Sequence, residues 1–345
     1  MSGTSLDGMD VAYCRFQYDR AKGWQYELLQ ACTIPYTAQW KHRLSNLFTA
    51  TAEQYALTHV EYGHLIGKTI RQFIQENNLK VDFVSSHGHT VFHQPERQFT
   101  AQIGEGAAIA AECDLPVVSD FRTMDVAYQG QGAPLVPIGD ELLFGEYDYC
   151  LNIGGIMNIS YRNDNERIAY DVAPANMAMN YFAEKMGQPY DKDGLIAKKG
   201  ILDKAMYQAL NELPYYKRNF PKSLGREWFE HCFLPVVLHY NNNIENTMHT
   251  ICHHMAYQLS QIVNKGNILI TGGGAKNKYL ISLLEQYMPE VKVIIPDNKL
   301  IEYKEALIFA FLGVLRITNS VNCLKSVTGA GKNVTGGAVY YNTNF

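Results

Sequence analysis

The sequence predicts an α/β fold in two similar lobes, each built on a mixed sheet. Three observations carry that reading. The chain has 345 residues, enough for two domains at roughly 100–200 residues each. A strand–turn–strand pattern with glycine at its tip occurs near residues 3–8 and again near 152–158. Each occurrence is followed by more strands and then by helices, a weak internal duplication. The expected lobes are 1–130 and 131–305, with part of 306–345 returning to the first.

The elements follow in order. Residues 9–17 and 25–34 alternate and read as two strands. Residues 53–78 place Tyr55, Leu57, Val60, Leu65, Ile66, Ile70, Phe73 and Ile74 at helical spacing, one long helix. Residues 81–86 form a short buried strand running into His87-Gly88-His89-Thr90. Residues 105–113 are Ala-rich and helical, and 116–120 are strand. The Gly/Pro stretch 130–139 is the expected crossing between lobes. Strands 149–153 and 156–161 flank Gly154-Gly155, and a strand at 167–170 follows the turn at Asp164-Asn165. Helices are expected at 176–186, 201–211, 227–240, 247–264, 277–287 and 302–320, with strands at 267–271, 291–295 and 337–341.

Composition sets limits. Hydrophobic residues make up 47% and charged residues 19%, with a net charge of −4, which gives no pull towards nucleic acid. Seven scattered cysteines without a C-x-x-C pair read as reduced thiols, not a disulfide framework. Neither a signal peptide nor an apolar run of about 18 residues is visible, so a cytoplasmic protein without membrane contact is expected.

The sequence holds three glycine turns. The first is Ser2-Gly3-Thr4-Ser5-Leu6-Asp7-Gly8, with Asp10 just beyond; the second is Asn152-Ile-Gly154-Gly155-Ile-Met-Asn158; the third is Thr271-Gly272-Gly273-Gly274. Glycine lets backbone approach a ligand closely, and successive N–H groups form an anion-binding nest. Asp7 and Asp10 could hold Mg²⁺ through water. None of the turns is a Walker A or G-x-G-x-x-G motif. Singly each reads as a tight turn; together they favour a nucleotide clamp between two lobes.

Asp171 stands beside a Pro-containing turn, Asp171-Val-Ala-Pro-Ala-Asn176, where a carboxylate is available as a general base. Its plainer reading is a helix cap. His87, His89 and His93 lie within seven residues but lack metal-ligand spacing, so they read as hydrogen-bonding groups. His249 and His253 share a helix face without a matching carboxylate. Arg122 is suited to gripping a carboxylate bidentately or to a structural ion pair. Glu305 opens the last long helix, and Tyr190–Gly194 is either a metal site or a plain turn.

These residues sit in a series of long motifs. They are Met1–Gly8, Ser86–Pro95, Gln102–Gly106, Pro116–Thr123, Gly130–Pro137, Leu151–Asn158, Tyr190–Gly194, Pro221–Glu227, Thr271–Gly274 and Ser326–Ala330. In this order they resemble the anhydro-N-acetylmuramic acid kinase family, of the sugar kinase/Hsp70/actin superfamily, nearly end to end. The resemblance implies actin-like (ribonuclease H-like) lobes with a nucleotide cleft between them. It implies ATP and Mg²⁺ as cofactors, opening of the 1,6-anhydro ring, phosphorylation at O6, a role in peptidoglycan recycling, and a homodimer. It implies that the 3–8 and 152–158 turns cradle phosphates, that 271–274 lies near adenosine, and that Asp171 activates the attacking water. His89, His93, Arg122, Asn176 and Glu305 would then line the sugar site, Arg122 facing the lactyl carboxylate.

This sequence departs from the family in places. The family commonly has Asp-Thr-Gly-Pro-Gly-Asn at the base; here alanine stands at 173 and 175, so the turn has to avoid positive φ. His89 stands where glutamine is common. The residues before Met1 look cut short, which predicts a first strand lacking its usual beginning. Two other readings remain open: a kinase for another anhydro- or amino-sugar, and a non-catalytic nucleotide-dependent binding protein of the same fold.

Overall fold

The computed structural model describes residues 1–3, 6–240 and 242–342; Thr4 and Ser5 of the first glycine turn lie outside them. The chain divides into two compact units, Met1–Leu143 with Tyr303–Phe345, and Phe144–Glu302. Both are α/β with mixed pairing, as the sequence predicts.

In the first unit, β1 (Gly8–Asp19) and β2 (Gly23–Pro35) form an antiparallel hairpin. Its turn is closed by Asp19, whose carboxylate accepts the N–H groups of Ala21 (2.8 Å) and Lys22 (2.9 Å). Next come β3 (Val84–Ser86), β4 (His89–Gln94), β5 (Phe99–Ile103) and β6 (Val117–Ser119). β3 runs parallel to β6, and β4 pairs antiparallel with β5. The helix Ala52–Glu76 starts at a capping box between Thr51 and Gln54. Its inward face, with Tyr62 and Ile66, packs with Ile103, Ile109 and Val117 into the unit's core.

In the second unit, β7 (Tyr149–Ile153), β8 (Ile156–Asn163) and β9 (Glu166–Pro174) form an antiparallel meander. β10 (Gly266–Thr271) and β11 (Val291–Ile294) extend it beyond β7 with parallel pairing. The sheet order is β11-β10-β7-β8-β9. Continuous apolar runs such as Ile268–Ile270 bury both faces, under helices that include Ile244–Ser260. The last strand, β12 (Ala338–Tyr340), belongs to the first unit and pairs antiparallel with β6.

Several elements differ from the sequence reading. The β4–β5 hairpin is new; a register shift between Thr90 and Phe92 breaks the alternation that would have revealed it. The helix expected over 227–240 is three pieces, Arg226–Trp228, a π turn at Phe229–Phe233, and Leu234–His239. Pro235 has no N–H to give to the preceding turn, and the wider π turn accommodates that loss. The helix expected from 302 begins at Asn298, so Glu305 lies inside it and does not open it.

Candidate active site

In the second unit, strand register assembles a row of polar residues. Thr271 on β10 is level with Asn152 on β7, Asn152 with Asn158 on β8, and Asn158 with Asp171 on β9. Register partners project from the same face of a sheet. Four residues far apart in sequence are thereby brought into one line.

Asp171 lies within β9, not at a strand end. A register shift follows it: Asn158 pairs with Asp171, but Met157 pairs with Ala173. The irregularity leaves Asp171's backbone to the segment 215–224. The Tyr215 hydroxyl donates to its C=O (2.6 Å), and its N–H points to the Lys222 C=O (3.5 Å). Its carboxylate Oδ2 accepts the Leu224 N–H at 2.7 Å. Lys222 is held over the rings of Tyr215 (4.9 Å) and Tyr170 (5.4 Å), and Phe220 stacks on Tyr170. Burial under this cover raises the Asp171 carboxyl to about 6, opposed by the Leu224 hydrogen bond. That value suits a base working near neutral pH. Pro221–Glu227 was legible as a motif, but nothing in its residues announced that Leu224 holds Asp171, and Tyr215 lies outside it.

The glycines beside this row divide by what a Cβ would meet. At Gly272, whose φ is +80°, a Cβ would approach Asn152 Oδ1 to 2.6 Å and the Ile153 C=O to 2.8 Å. At Gly274 it would strike the Ile153 side chain. Both are required by packing against β7. At Gly273 the nearest atom is Asn176 Nδ2 at 3.6 Å, and at Gly155 it is Met177 at 3.9 Å. Gly154 meets Asn152 Nδ2 at 3.3 Å. The fold leaves room for side chains at 155 and 273, so the space they leave is available to a ligand. Asn176, at the start of the helix Asn176–Glu184, ties the turns together by donating to the Ile153 C=O (3.2 Å). The open space beside Gly155 and Gly273 leaves room at these turns for a phosphate-bearing ligand.

Neither alanine near Asp171 sits at positive φ. Ala173 lies in the extended strand and Ala175 has φ −121°, so neither needs glycine.

In the first unit, Arg122 is the centre. Its Nε donates to His87 Nε2 (3.0 Å) and a terminal nitrogen to the Gly132 C=O (2.6 Å). Burial, and then Arg122, hold His87 neutral well below the usual histidine range. His87 was seen in sequence as one of three histidines; its role as the seat of Arg122 was not. His93 sits beside the same loop, its ring 3.5 Å from where a Cβ on Gly132 would lie, and it hydrogen bonds Thr100 (3.1 Å). Burial and Arg122 lower its pKa. Glu305 is exposed by surface area but has protein packed on most sides, and the resulting desolvation raises its carboxyl, with Arg122 acting against the rise. His87, His93 and Glu305 each interact with Arg122.

His89 is placed differently. It is buried, bonded through Nδ1 to Ser2 Oγ (3.1 Å), which also accepts the Tyr36 hydroxyl (2.8 Å). In the first turn Gly3, Leu6 and Asp7 reach solvent, while Gly8 packs against Ile34. Asp10 accepts the Thr33 hydroxyl (2.6 Å).

The remaining clusters have ordinary explanations. Asp191 accepts the N–H groups of Ile196 (2.8 Å) and Ala197 (3.0 Å), and Asp193 pairs with Lys278 (3.3 Å), which makes Tyr190–Gly194 a turn. His249 and His253 face each other and bond to Tyr279 and Tyr287. Among the described residues no group of three or more His, Cys, Asp or Glu could hold a metal ion, and no helix is long and apolar enough to cross a membrane. All seven cysteines are free.

Comparison with known proteins supplies the class first: the relatives are kinases, and the chain is an enzyme, a phosphotransferase acting on a sugar hydroxyl. A family model described as anhydro-N-acetylmuramic acid kinase matches residues 1–342, and the chain belongs to that family. It is 35% identical over 364 residues to the anhydro-N-acetylmuramic acid kinase of Vibrio cholerae, covering 99% of this chain and 97% of that one. It is 32% identical over 365 residues to that of Sulfurimonas denitrificans (99% and 98%) and 35% over 373 residues to that of Francisella tularensis subsp. novicida (99% and 97%). Among solved structures it is similar to the activator of 2-hydroxyisocaproyl-CoA dehydratase from Clostridium difficile with bound ADPNP. That likeness has a TM-score of 0.35 and 16% identity, over 54% of this chain and 67% of that one, too distant to carry an argument.

Proposed function

We propose that this enzyme consumes ATP to open 1,6-anhydro-N-acetylmuramic acid hydrolytically and to phosphorylate O6, giving N-acetylmuramic acid 6-phosphate in peptidoglycan recycling. The observation that carries the reading is Asp171: an anchored, covered carboxyl raised to about 6, beside turns whose glycines leave open space.

On this reading a water attacks C1 and gives its proton to the Asp171 carboxylate. The C1–O6 bond breaks, and O6 takes the γ-phosphoryl group as ADP leaves. Gly154, Gly155, Asn158 and Gly273 line the phosphate side, and Gly272 and Gly274 set the shape of the turn. Asn152 and Asn176 hold neighbouring backbone in place. In the first unit, the Gly3–Gly8 turn contributes N–H groups. Asp7 and Asp10 offer the oxygen donors that Mg²⁺ prefers; the ion's part is to offset phosphate charge. Arg122, fixed by His87 and Gly132, meets the lactyl carboxylate, with His93 and Glu305 beside it. The enzyme acts as a cytoplasmic homodimer.

The test is mass spectrometry of the product formed from the anhydro-sugar and ATP in ¹⁸O-water. One ¹⁸O at C1 together with a 6-phosphate is expected. Phosphorylation without the label would remove water, and with it the role of Asp171.

A further inference from the structure

Asp125 is a carboxylate that no step of the proposed reaction uses. It lies in the first unit, on the short helix Thr123–Ala127, and is fully buried. A buried charge is costly unless hydrogen bonds replace the water it gives up. Its hydrogen-bond partners are all neutral groups. Oδ2 accepts the Gly132 N–H (2.7 Å), and Oδ1 accepts the Thr328 hydroxyl (2.8 Å) and the Cys323 thiol (3.0 Å). These donors come from two segments far apart in sequence, the loop after the helix and the stretch 323–328.

The loop is the one that seats Arg122. Gly132 gives its N–H to Asp125 and offers its C=O to the Arg122 guanidinium (2.6 Å). The Gln131 C=O belongs to the peptide whose N–H meets Asp125, and it is a hydrogen-bond partner of His93. The loop is wrapped closely around the carboxylate. The Gly130 N–H donates to the Asp125 C=O (2.9 Å), a Cβ at Gly130 would strike Asp125 Oδ2, and Gly132 holds a φ of +64°. The Gln131 N–H donates to the Thr328 C=O (2.8 Å), so the stretch that fixes Asp125 also fixes the loop. Arg122 itself engages His87 through Nε and Gly132 through Nη1. Two such anchors fix the plane of a guanidinium. Nη2 has no hydrogen-bond partner among the described residues and is left for a ligand.

We propose that Asp125 is a positioning residue for Arg122: its carboxylate holds Gly132, and the Gly132 C=O aims the guanidinium at the carboxylate of the sugar. The substrate effect rests on the reading that Arg122 meets the lactyl carboxylate, whereas the chain Asp125–Gly132–Arg122 can be tested without a sugar. Two substitutions separate the acceptor from the side chain's bulk and charge. Asp125→Ala leaves the Gly132 N–H without its acceptor. Asp125→Asn keeps an oxygen for that N–H, because the Thr328 hydroxyl and the Cys323 sulfur can accept from the amide instead.

The experiment uses the full chain with ¹⁵N-labelled arginine. Hydrogen exchange at the Arg122 Nε–H should quicken at least about tenfold in Asp125→Ala and stay within about threefold of wild type in Asp125→Asn. In the kinase assay Asp125→Ala should raise KM for the lactyl-bearing sugar at least about tenfold with kcat within about twofold, and the lactyl-free anhydro-sugar should show no such rise. Added to Arg122→Ala, it should change KM by less than about twofold, since the residue it acts through is gone. Wild-type exchange at the Arg122 Nε–H in a folded Asp125→Ala overturns the proposal, as does a KM rise that multiplies with that of Arg122→Ala. If Asp125→Ala does not fold, Thr328→Val decides: it removes one donor to Oδ1 and should quicken the same exchange about threefold, with Thr328→Ser restoring it. Wild-type exchange in Thr328→Val then overturns the proposal. Quickened exchange together with an Arg122→Ala variant that treats both sugars alike refutes the lactyl reading and upholds the positioning.

Discussion

Asp171→Asn removes the charge and keeps the shape. The side-chain oxygen that accepts the Leu224 N–H at 2.7 Å can be supplied by the amide, so β9 and the segment 215–224 stay in register. Without a base, turnover should fall by about 10²–10⁴-fold, while nucleotide binding persists. Stability should move the other way. Raising a carboxyl from its ordinary 3.8 to about 6 costs the folded state up to about 3 kcal/mol once it is ionised, at about 1.36 kcal/mol per pH unit. Wild type is free of that cost below pH 3.8 and bears it fully above about 6. The variant should therefore melt several degrees higher at pH 8 and show little gain near pH 4. ADP release, read beside melting curves at both pH values, checks the pair. Unchanged turnover would refute the base. A melting gain that ignores pH would refute burial as the cause of the raised carboxyl.

The other expectations can be tested separately. Gly155→Ala and Gly273→Ala should fold normally and raise KM for ATP, because a methyl group there meets open space; Gly272→Ala and Gly274→Ala should instead lose at least about 1 kcal/mol in denaturant titrations. Arg122→Ala should raise KM at least tenfold for a sugar bearing the lactyl carboxylate and leave a lactyl-free anhydro-sugar unaffected in the same coupled assay. His254, buried and held between Asn211 and Tyr216, has its pKa lowered to about 3 by burial. Its contribution is present above pH 6.5 and lost as pH falls towards 3, so melting temperature should drop on acidification, and His254→Gln should flatten that slope. Tyr215→Phe removes the bond to the Asp171 C=O; kcat should fall less than tenfold, with the acid limb of the pH–rate profile still near 6.

Periodicity was sufficient for elements with one consistent face. The helix Ala52–Glu76 shows its apolar spacing and its capping box in the sequence, and β7 and β10 show as apolar runs ahead of glycines. It was insufficient where the backbone departs from a regular period. The bulge between Thr90 and Phe92 concealed β4, and the π turn at Phe229–Phe233 concealed a break. In the site, glycines and the carboxylate were visible as residue types. Their sorting was not: whether Gly272 serves packing and Gly273 serves a ligand depends on where Ile153 lies, a long-range fact. The same holds for His87, whose pairing with Arg122 spans 35 residues, and for the level alignment of Asn158 with Asp171, which a one-residue slip would have undone.

One arrangement bears on how such an enzyme is retuned. The segment 215–224 both anchors Asp171 and shields it from bulk solvent, yet its side chains need touch no reactant. With Asp171 as the base proposed above, natural variation there is a handle on working pH: a looser covering admits solvent, lowers the carboxyl's proton affinity and extends activity into more acidic surroundings. The chemistry can thus be adapted to a habitat by residues that take no part in it.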